Sequence, residues 1–304
     1  MVTDLLQIFV SGITVGSAIA LVAFGYSLVF ATTRIVNFAQ GSMLAVGGFV
    51  TFAFWDDGHL GLPFLLALLL GVVFMAGVGV LIEVLAIRPL GGFDPSANVG
   101  WILTTFSAGI MSVELVRITI GNASRGLPEP VGSLLGWERS VVSNVAIGAS
   151  DVALVLVAIV VMVGFELLQV RTRLGRALRA VSQDRPAAAL MGINTGAMVT
   201  FAFALAGALA AVAAVFIAPR FGGVQFQGSI ALGLTAFVAT VLGGLGSTRG
   251  AMLGGYLIGF ANAIIATIPW LGARWQDTVI FVLFLGVLVI RPNGIFGEAR
   301  VEKV

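Results

Sequence analysis

The chain has 304 residues, of which 59% are hydrophobic and 10% are charged, and its mean hydropathy is +1.09. This composition cannot cover a soluble globule with polar surface, so the lipid bilayer is the expected solvent. The net charge of +2 comes from a few basic residues between apolar segments, which favours positive-inside topology over nucleic-acid binding. The chain has no cysteine and only one histidine, His59, which excludes thiol chemistry and a histidine metal cluster within one chain.

Apolar segments recur along the whole sequence, and a hydrocarbon core of roughly 30 Å needs about 20 apolar residues per helix. We therefore predict an all-α, polytopic membrane protein, with one transmembrane domain over residues 1–304 and about eight or nine transmembrane or re-entrant helices. Three of the segments are short or interrupted by glycine, which is consistent with broken or re-entrant helices covered by protein. The segments lie near residues 5–31, 38–54, 62–87, 98–117, 151–168, 197–218, 229–245, 250–269 and 277–290.

The first apolar segment is predicted to be a retained transmembrane helix rather than a cleaved signal peptide. It has no basic residues before it, carrying Asp4 instead, and it continues to about Ala31, which is too long for the apolar region of a signal peptide.

A polar stretch, Arg34 to Ser42, leads into the second apolar segment. Its amide and hydroxyl groups need partners once they enter an apolar environment. Two interpretations remain open: Asn37, Gln40, Gly41 and Ser42 line a substrate pathway, or they cap and join neighbouring helices.

Arginines set the predicted orientation, since 15 of the 16 basic residues are arginine. The connection at residues 169–196 holds five arginines against one acid, Asp184, and is therefore predicted to be cytoplasmic. Counting crossings from there places the tail after Ile290 inside and the loops at residues 55–61 and 118–150 outside, in the periplasm. The longer outer loop is either a docking surface or a solvated connector with Trp137 as an interfacial anchor.

The same arginine-rich connection carries signals for two short helices. Residues 169–183 have high helix propensity, and Asp184 is placed to cap a second helix whose first turn holds Pro186. The second helix is too short to cross a membrane, and its alanines and Gly192 offer a small-residue surface. Such a surface fits a groove on a partner protein, and an ordinary surface linker is the alternative.

The glycine-rich block at residues 240–250 predicts a helix break near Gly243, because each glycine weakens a helix by roughly 1 kcal/mol. A break at membrane depth frees backbone groups that are able to hold a zwitterion. Glycines four residues apart, at 12 and 16 and at 255 and 259, are instead predicted to pack helices closely. Residues 40–48 and 249–257 resemble one another, which indicates either two repeated halves or a chance match of glycine-rich sequence.

Signals for other functional classes are weak. Glu83, Glu114 and Glu166 lie near segment ends, and no series of deep carboxylates of the kind used by proton-coupled carriers is present. Arg117 is one turn from Glu114 and is predicted to pair with it. Motifs for hydrolases and metalloproteases are absent, and Lys303 is the only lysine, so a Walker A motif is excluded. We predict no catalytic and no metal site, and any ATP must be bound by another chain.

Taken in order, these blocks resemble the permease family of branched-chain amino acid ATP-binding-cassette importers, specifically the smaller of its two paired membrane subunits. The resemblance extends over nearly the whole chain, and it rests on stretches Gly12 to Ala23, Arg34 to Met43, Gly175 to Asp184, Met191 to Asn194 and Ala239 to Gly255.

The resemblance implies the fold of such permeases, a bacterial inner-membrane location, and a complex with a second permease subunit, two cytosolic ATPases and a periplasmic binding protein. ATP and Mg²⁺ would be bound by the ATPases and no cofactor by this chain. It also implies a coupling helix within residues 176–193, although the acidic first position of the family's E-A-A-x-x-x-G pattern is Pro186 here. The predicted coupling residues are Arg176, Arg179, Asp184, Ala187, Ala188, Gly192 and Ile193, and the predicted pathway residues are Asn37, Gln40, Gly41, Ser42, Thr240, Gly243, Gly244, Gly246 and Ser247.

The implied function is ATP-driven import of leucine, isoleucine, valine or related amino acids. Import of urea or short amides by a permease of the same family remains open, as does the less favoured reading of a stand-alone secondary carrier or channel.

Overall fold

The structure is a computed structural model, and it describes residues 2–56, 58–90, 100–124, 126, 131–132, 136, 140–142, 145–268, 275–291 and 294–295. The predicted interfacial anchor Trp137 lies outside these residues.

Nine apolar helices in the described residues correspond to the nine predicted segments. Seven of them are long and apolar enough to cross a membrane, and two, of 16 and 15 residues, are shorter. The helices are α1 (Val2–Thr33), α2 (Gln40–Trp55), α3 (Phe64–Ile82), α4 (Gly100–Thr119), α5 (Ala149–Arg171), α6 (Arg173–Gln183), α7 (Arg185–Leu190), α8 (Thr195–Ile217), α9 (Phe226–Gly243), α10 (Thr248–Thr267) and α11 (Gln276–Ile290), of which α6 and α7 are the short polar pair.

Short elements complete the helical architecture. A π-helical turn (Glu83–Ile87) and a 3-10 turn (Arg88–Leu90) extend α3, and a second 3-10 turn (Ala218–Phe221) extends α8. A small antiparallel hairpin, β1 (Ser140–Val142) and β2 (Val145–Ile147), precedes α5 and is a minor departure from the all-α prediction.

Helices α1 and α8 form the centre of the bundle. In their most apolar windows 67% of α1 and 72% of α8 is buried, against 28% in α3 and 22% in α4 and in α5. The outer helices therefore present apolar side chains to lipid or to another membrane subunit, because the same residues would be insoluble against water.

The first helix, α1, packs against α10 through glycine. A Cβ on Gly259 of α10 would lie 2.3 Å from the Cα of Gly16 in α1, and a Cβ on Gly255 would lie 2.5 Å from the Cα of Ala20. Only glycine allows backbones to approach this closely, which is how helices associate in lipid without a hydrophobic driving force. Close packing, predicted for both glycine pairs, is confirmed.

Helix α2 begins in the middle of the bundle rather than at its edge. Residues 34–39 between α1 and α2 are not helical, and Arg34 has a φ of +61°. The Gln40 side-chain amide then donates a 3.0 Å hydrogen bond to the carbonyl of Ala206, which lies halfway along α8. This non-helical entry is consistent with the predicted interruption of the second segment. In the segment at residues 229–245, also considered for interruption, the helix α9 is continuous as far as Gly243.

The predicted helix break near Gly243, within the glycine-rich block, is confirmed. Helix α9 ends at Gly243, Gly244 and Gly246 have φ values of +104° and +87°, and α10 begins at Thr248. The freed carbonyl of Leu242 accepts a 2.7 Å hydrogen bond from the backbone N–H of Ile295. A segment after α11 thus satisfies one of the backbone groups that a broken helix leaves unpaired.

Helices α6 and α7 define one end of the bundle, which we call the basic face. Arg34 at the end of α1 donates a 2.7 Å hydrogen bond to the carbonyl of Ser182 in α6, and Arg88 donates to Thr200 at the start of α8. The other end, which we call the distal face, contains the turn after α2, the hairpin and the start of α11. Which face meets the cytoplasm stays a prediction from the arginine distribution.

Candidate functional site

Capping side chains shape the segment from α6 to α8, which was predicted to couple the chain to a partner. Thr172, Asp184 and Asn194 each accept a hydrogen bond from a backbone N–H in the first turn of the following helix, at 2.9–3.0 Å. Asp184 and Pro186 therefore start α7 as predicted. The continuous helix expected over residues 169–183 is interrupted at Thr172, because its extended backbone ends α5 and its hydroxyl caps α6.

Helix α6 attaches to the bundle through one narrow face. Gly175, Leu178 and Val181 are buried, whereas Arg176 and Arg179 are exposed. A Cβ on Gly175 would lie 2.1 Å from the carbonyl oxygen of Leu168, so only glycine fits this contact. The exposed arginines form the polar side of an amphipathic helix.

The tip of this segment exposes large apolar side chains. Leu190 is 89% exposed and Met191 is 83% exposed, and they follow one another at the end of α7. Among the predicted coupling residues, Ala187 and Gly192 are exposed, Ile193 is half-buried, and Ala188 is buried against the bundle. Sequence reasoning singled out the small residues and missed Leu190 and Met191, whose only sequence signal is apolar character at the end of a short polar helix.

Two sets of contacts tie this segment to the bundle. Besides the bond from Arg34 to α6, Glu83 at the end of α3 is fully buried and accepts a 2.8 Å hydrogen bond from Arg88 and a 3.2 Å one from Thr200. Partial burial lowers the pKa of the Arg185 guanidinium in the first turn of α7, and the nearby Glu83 charge opposes that shift. Helices α6 and α7 therefore lie against the ends of α1 and α8, with Arg185 near the buried Glu83 at the end of α3.

A cleft of about 320 Å³ separates α6 from the start of α10 on the basic face. It brings together Arg179, from the predicted coupling set, and Gly246 and Ser247, from the predicted pathway set. Ser247 accepts a 3.1 Å hydrogen bond from the N–H of Gly250 and caps α10. Arg249, beside it, forms a bidentate ion pair with Glu166 of α5.

The remaining predicted pathway residues lie inside the subunit. Asn37, Gln40 and Thr240 are fully buried, and Thr240 donates hydrogen bonds to backbone carbonyls in α1 and in its own helix. Asn37 accepts a 3.1 Å hydrogen bond from the N–H of Ala39. In this conformation these side chains join helices, and their place in a pathway stays a prediction.

The small residues of the predicted pathway allow close contacts between helices. A Cβ on Gly41 would lie 3.3 Å from the carbonyl oxygen of Ile230, and one on Gly243 would lie 2.0 Å from the carbonyl oxygen of Gly250. Ser42 is half-buried, with its hydroxyl against Gly109 of α4. Gly244 follows the end of α9 with a φ of +104°, a value that other residues rarely adopt.

Other pairs predicted from sequence are present. Arg117 donates a 2.6 Å hydrogen bond to Glu114 on the surface of α4. His59, the single histidine of the sequence, forms a 2.9 Å contact with Asp56 at the partly exposed turn after α2.

Comparison with known proteins gives a family match over almost the whole chain. A family model described as the permease component of the branched-chain amino acid transport system matches residues 8–288. The high-affinity branched-chain amino acid transport system permease protein BraD of Pseudomonas aeruginosa is 35% identical over 305 residues, covering 98% of both chains. The corresponding protein LivH of Escherichia coli K12 is 31% identical, covering 98% of this chain and 97% of its own.

The fold also matches a solved structure. A chain of PsaBC from Streptococcus pneumoniae, determined in complex with Fab, aligns with a TM-score of 0.54, covering 94% of this chain and 93% of its own. At 15% identity this likeness concerns the fold alone. It agrees with the predicted polytopic helical fold, which is confirmed.

Proposed function

Because this chain belongs to the branched-chain amino acid transport permease family, we propose that it imports leucine, isoleucine, valine or related amino acids as one subunit of an ATP-driven transporter. The seven spanning helices and the family make it a multi-pass protein of the bacterial inner membrane, and its relatives correspond to the smaller permease subunit. It would act with a second permease subunit, two cytosolic ATPases and a periplasmic binding protein.

The observation that carries the ATP-driven part of this proposal is the exposed apolar tip of α7. Leu190 and Met191 lie on the basic face, beside the exposed arginines of α6, and not among the lipid-facing helices. Two adjacent large apolar side chains exposed to water at the end of a short, alanine-rich helix are costly unless a partner covers them. A groove on an ATPase is the partner that this position and chemistry fit.

The proposed mechanism is alternating access driven from the basic face. ATP and Mg²⁺ would be held by the ATPases, whose closure would displace α7 and α6. The hydrogen bond from Arg34 would pass that displacement to the end of α1, and the Glu83 charge near Arg185 would link it to the end of α3. Small shifts there would be amplified by the closely packed core. This chain would carry out no covalent chemistry, and its part would be to provide the substrate passage and to change its shape.

The test is uptake by the reconstituted complex of both permeases, both ATPases and the binding protein in proteoliposomes. We expect ATP-dependent accumulation of leucine against a gradient, with competition by isoleucine and valine and none by urea. If urea or short amides competed with uptake and isoleucine and valine did not, the substrate would be assigned as urea or a short amide instead of a branched-chain amino acid. Uptake by the two permease subunits without ATPases, down a gradient, would contradict the ATP-driven proposal and favour a channel or carrier.

A further inference from the structure

A large cavity opens on the distal face, away from the predicted coupling segment. Its volume is about 490 Å³, and it lies between the first half of α1, the first turn of α11, the first half of α9, the end of α10 and the 3-10 turn after α8. Ile8, Val15 and Leu232 contribute apolar wall, and Arg220 and Asp277 contribute charge. A mostly apolar recess with a few polar groups is the usual form of a small-molecule site.

Arg220 is held in place by residues from two other helices. It donates to the Ser11 hydroxyl of α1 at 2.5 Å and lies 3.4 Å from the carboxylate of Asp151 in α5. Ser11 in turn accepts a 2.9 Å hydrogen bond from Gln7. The 3.4 Å between Arg220 and Asp151 exceeds the about 2.7–2.9 Å of a strong charge-assisted hydrogen bond. Arg220 therefore keeps N–H donors that can bind a second anion.

Asp277 supplies the opposite charge. It lies in the first turn of α11, where the helix dipole stabilises a negative charge. Its side chain is exposed and lines the cavity. The dipole alone accounts for an acid at this position. It does not account for an arginine and an acid on the wall of one apolar recess.

We propose that this cavity is the entry site for a zwitterionic amino acid with an apolar side chain. The substrate carboxylate would bind Arg220, its ammonium group would bind Asp277, and its side chain would pack on Ile8 and Leu232. The inference rests on the proposed import function and adds the place where substrate first binds the permease, on the face opposite the exposed tip of α7. A neutral molecule such as urea gains little from this pair of charges.

The test uses the complete reconstituted transporter with Asp277→Asn, Arg220→Gln and the control Asp56→Asn. Asp56 is an acid of the same distal face that pairs with His59 outside the cavity wall. We expect Asp277→Asn and Arg220→Gln to lower leucine uptake by about tenfold or more, the size of one lost charge-assisted hydrogen bond. ATP hydrolysis stimulated by the loaded binding protein should remain within about twofold of wild type, because the predicted coupling face is unchanged.

Asp277→Asn decides the outcome, since Arg220→Gln also removes a contact to α5 and could unfold the chain. Wild-type uptake by Asp277→Asn, with Asp56→Asn equally active, would identify the cavity as a lipid-filled or subunit-covered recess and overturn the proposal. Absence of amino acid uptake by the wild-type complex would instead refute the import function itself. Competition by leucinol and by 4-methylpentanoate, which each lack one of the two charged groups, should be at least about tenfold weaker than by leucine.

Discussion

Replacement of Leu190 and Met191 by serine should detach the ATPase from the permease. Both side chains are almost fully exposed, 89% and 83%, so their removal costs the isolated chain little packing. Burying one such side chain in a partner's groove stabilises the complex by about 1.5–3 kcal/mol. Each single replacement should therefore weaken ATPase binding by about tenfold to about a hundredfold, and the double replacement should weaken it further.

The assay titrates purified ATPase against the permease pair in lipid nanodiscs and measures the dissociation constant, with uptake measured in parallel. Leu60→Ser is the matched control, because Leu60 is 61% exposed in the distal turn after α2. Its ATPase affinity should equal that of wild type. Unchanged affinity of the Leu190→Ser, Met191→Ser double variant would refute the docking role of this tip.

Gly192 is a weaker probe of the same contact. Its φ of +81° is a conformation that other residues adopt with strain, although nothing lies within 4 Å of the position of an added Cβ. A bulky residue at this position would alter the end of α7 as well as its surface. Loss of transport in such a variant would therefore have two physical causes, whereas the serine replacements preserve the backbone.

Two further predictions concern stability. Gly259→Leu should destabilise the purified chain by about 1–3 kcal/mol or more, the usual cost of overpacking, because its Cβ would lie 2.3 Å from the backbone of α1. Gly77→Leu is the control: its side chain would face open space, so the thermal unfolding midpoint should not change. Equal midpoints would disprove the close α1–α10 contact. Arg88→Ala should lower the midpoint more than Glu83→Gln, because it leaves a fully buried carboxylate without its charge partner. The opposite order in the same melts would contradict this assignment.

Local signals predicted much of the coupling segment and the glycine contacts. Asp184 and Pro186 mark the start of α7 because capping and proline geometry act over three or four residues. The break after Gly243 and the pairs of glycines four residues apart likewise follow from backbone properties that need no tertiary partner. These elements appear in the structure where the sequence predicts them.

Features that depend on contacts between residues far apart in the chain could not be predicted from the sequence. The contact of Arg220 with Asp151 joins residues 69 positions apart, and the distal cavity has walls from five separate elements. Gln40 is buried and bonded to α8, which its local sequence does not encode. The six-residue helix α7 is too short to show a periodic pattern, so the outward direction of Leu190 was not predicted.

The glycine contact between α1 and α10 also has a consequence for biosynthesis. Ser17 and Tyr256, which hydrogen-bond across it, are 239 residues apart. At about 5–20 residues per second, a ribosome needs roughly 10–50 s to make the chain between them. Throughout that interval the first helix must stay in the membrane without its main partner, so the insertion machinery or lipid has to shield its glycine surface until the tenth helix arrives.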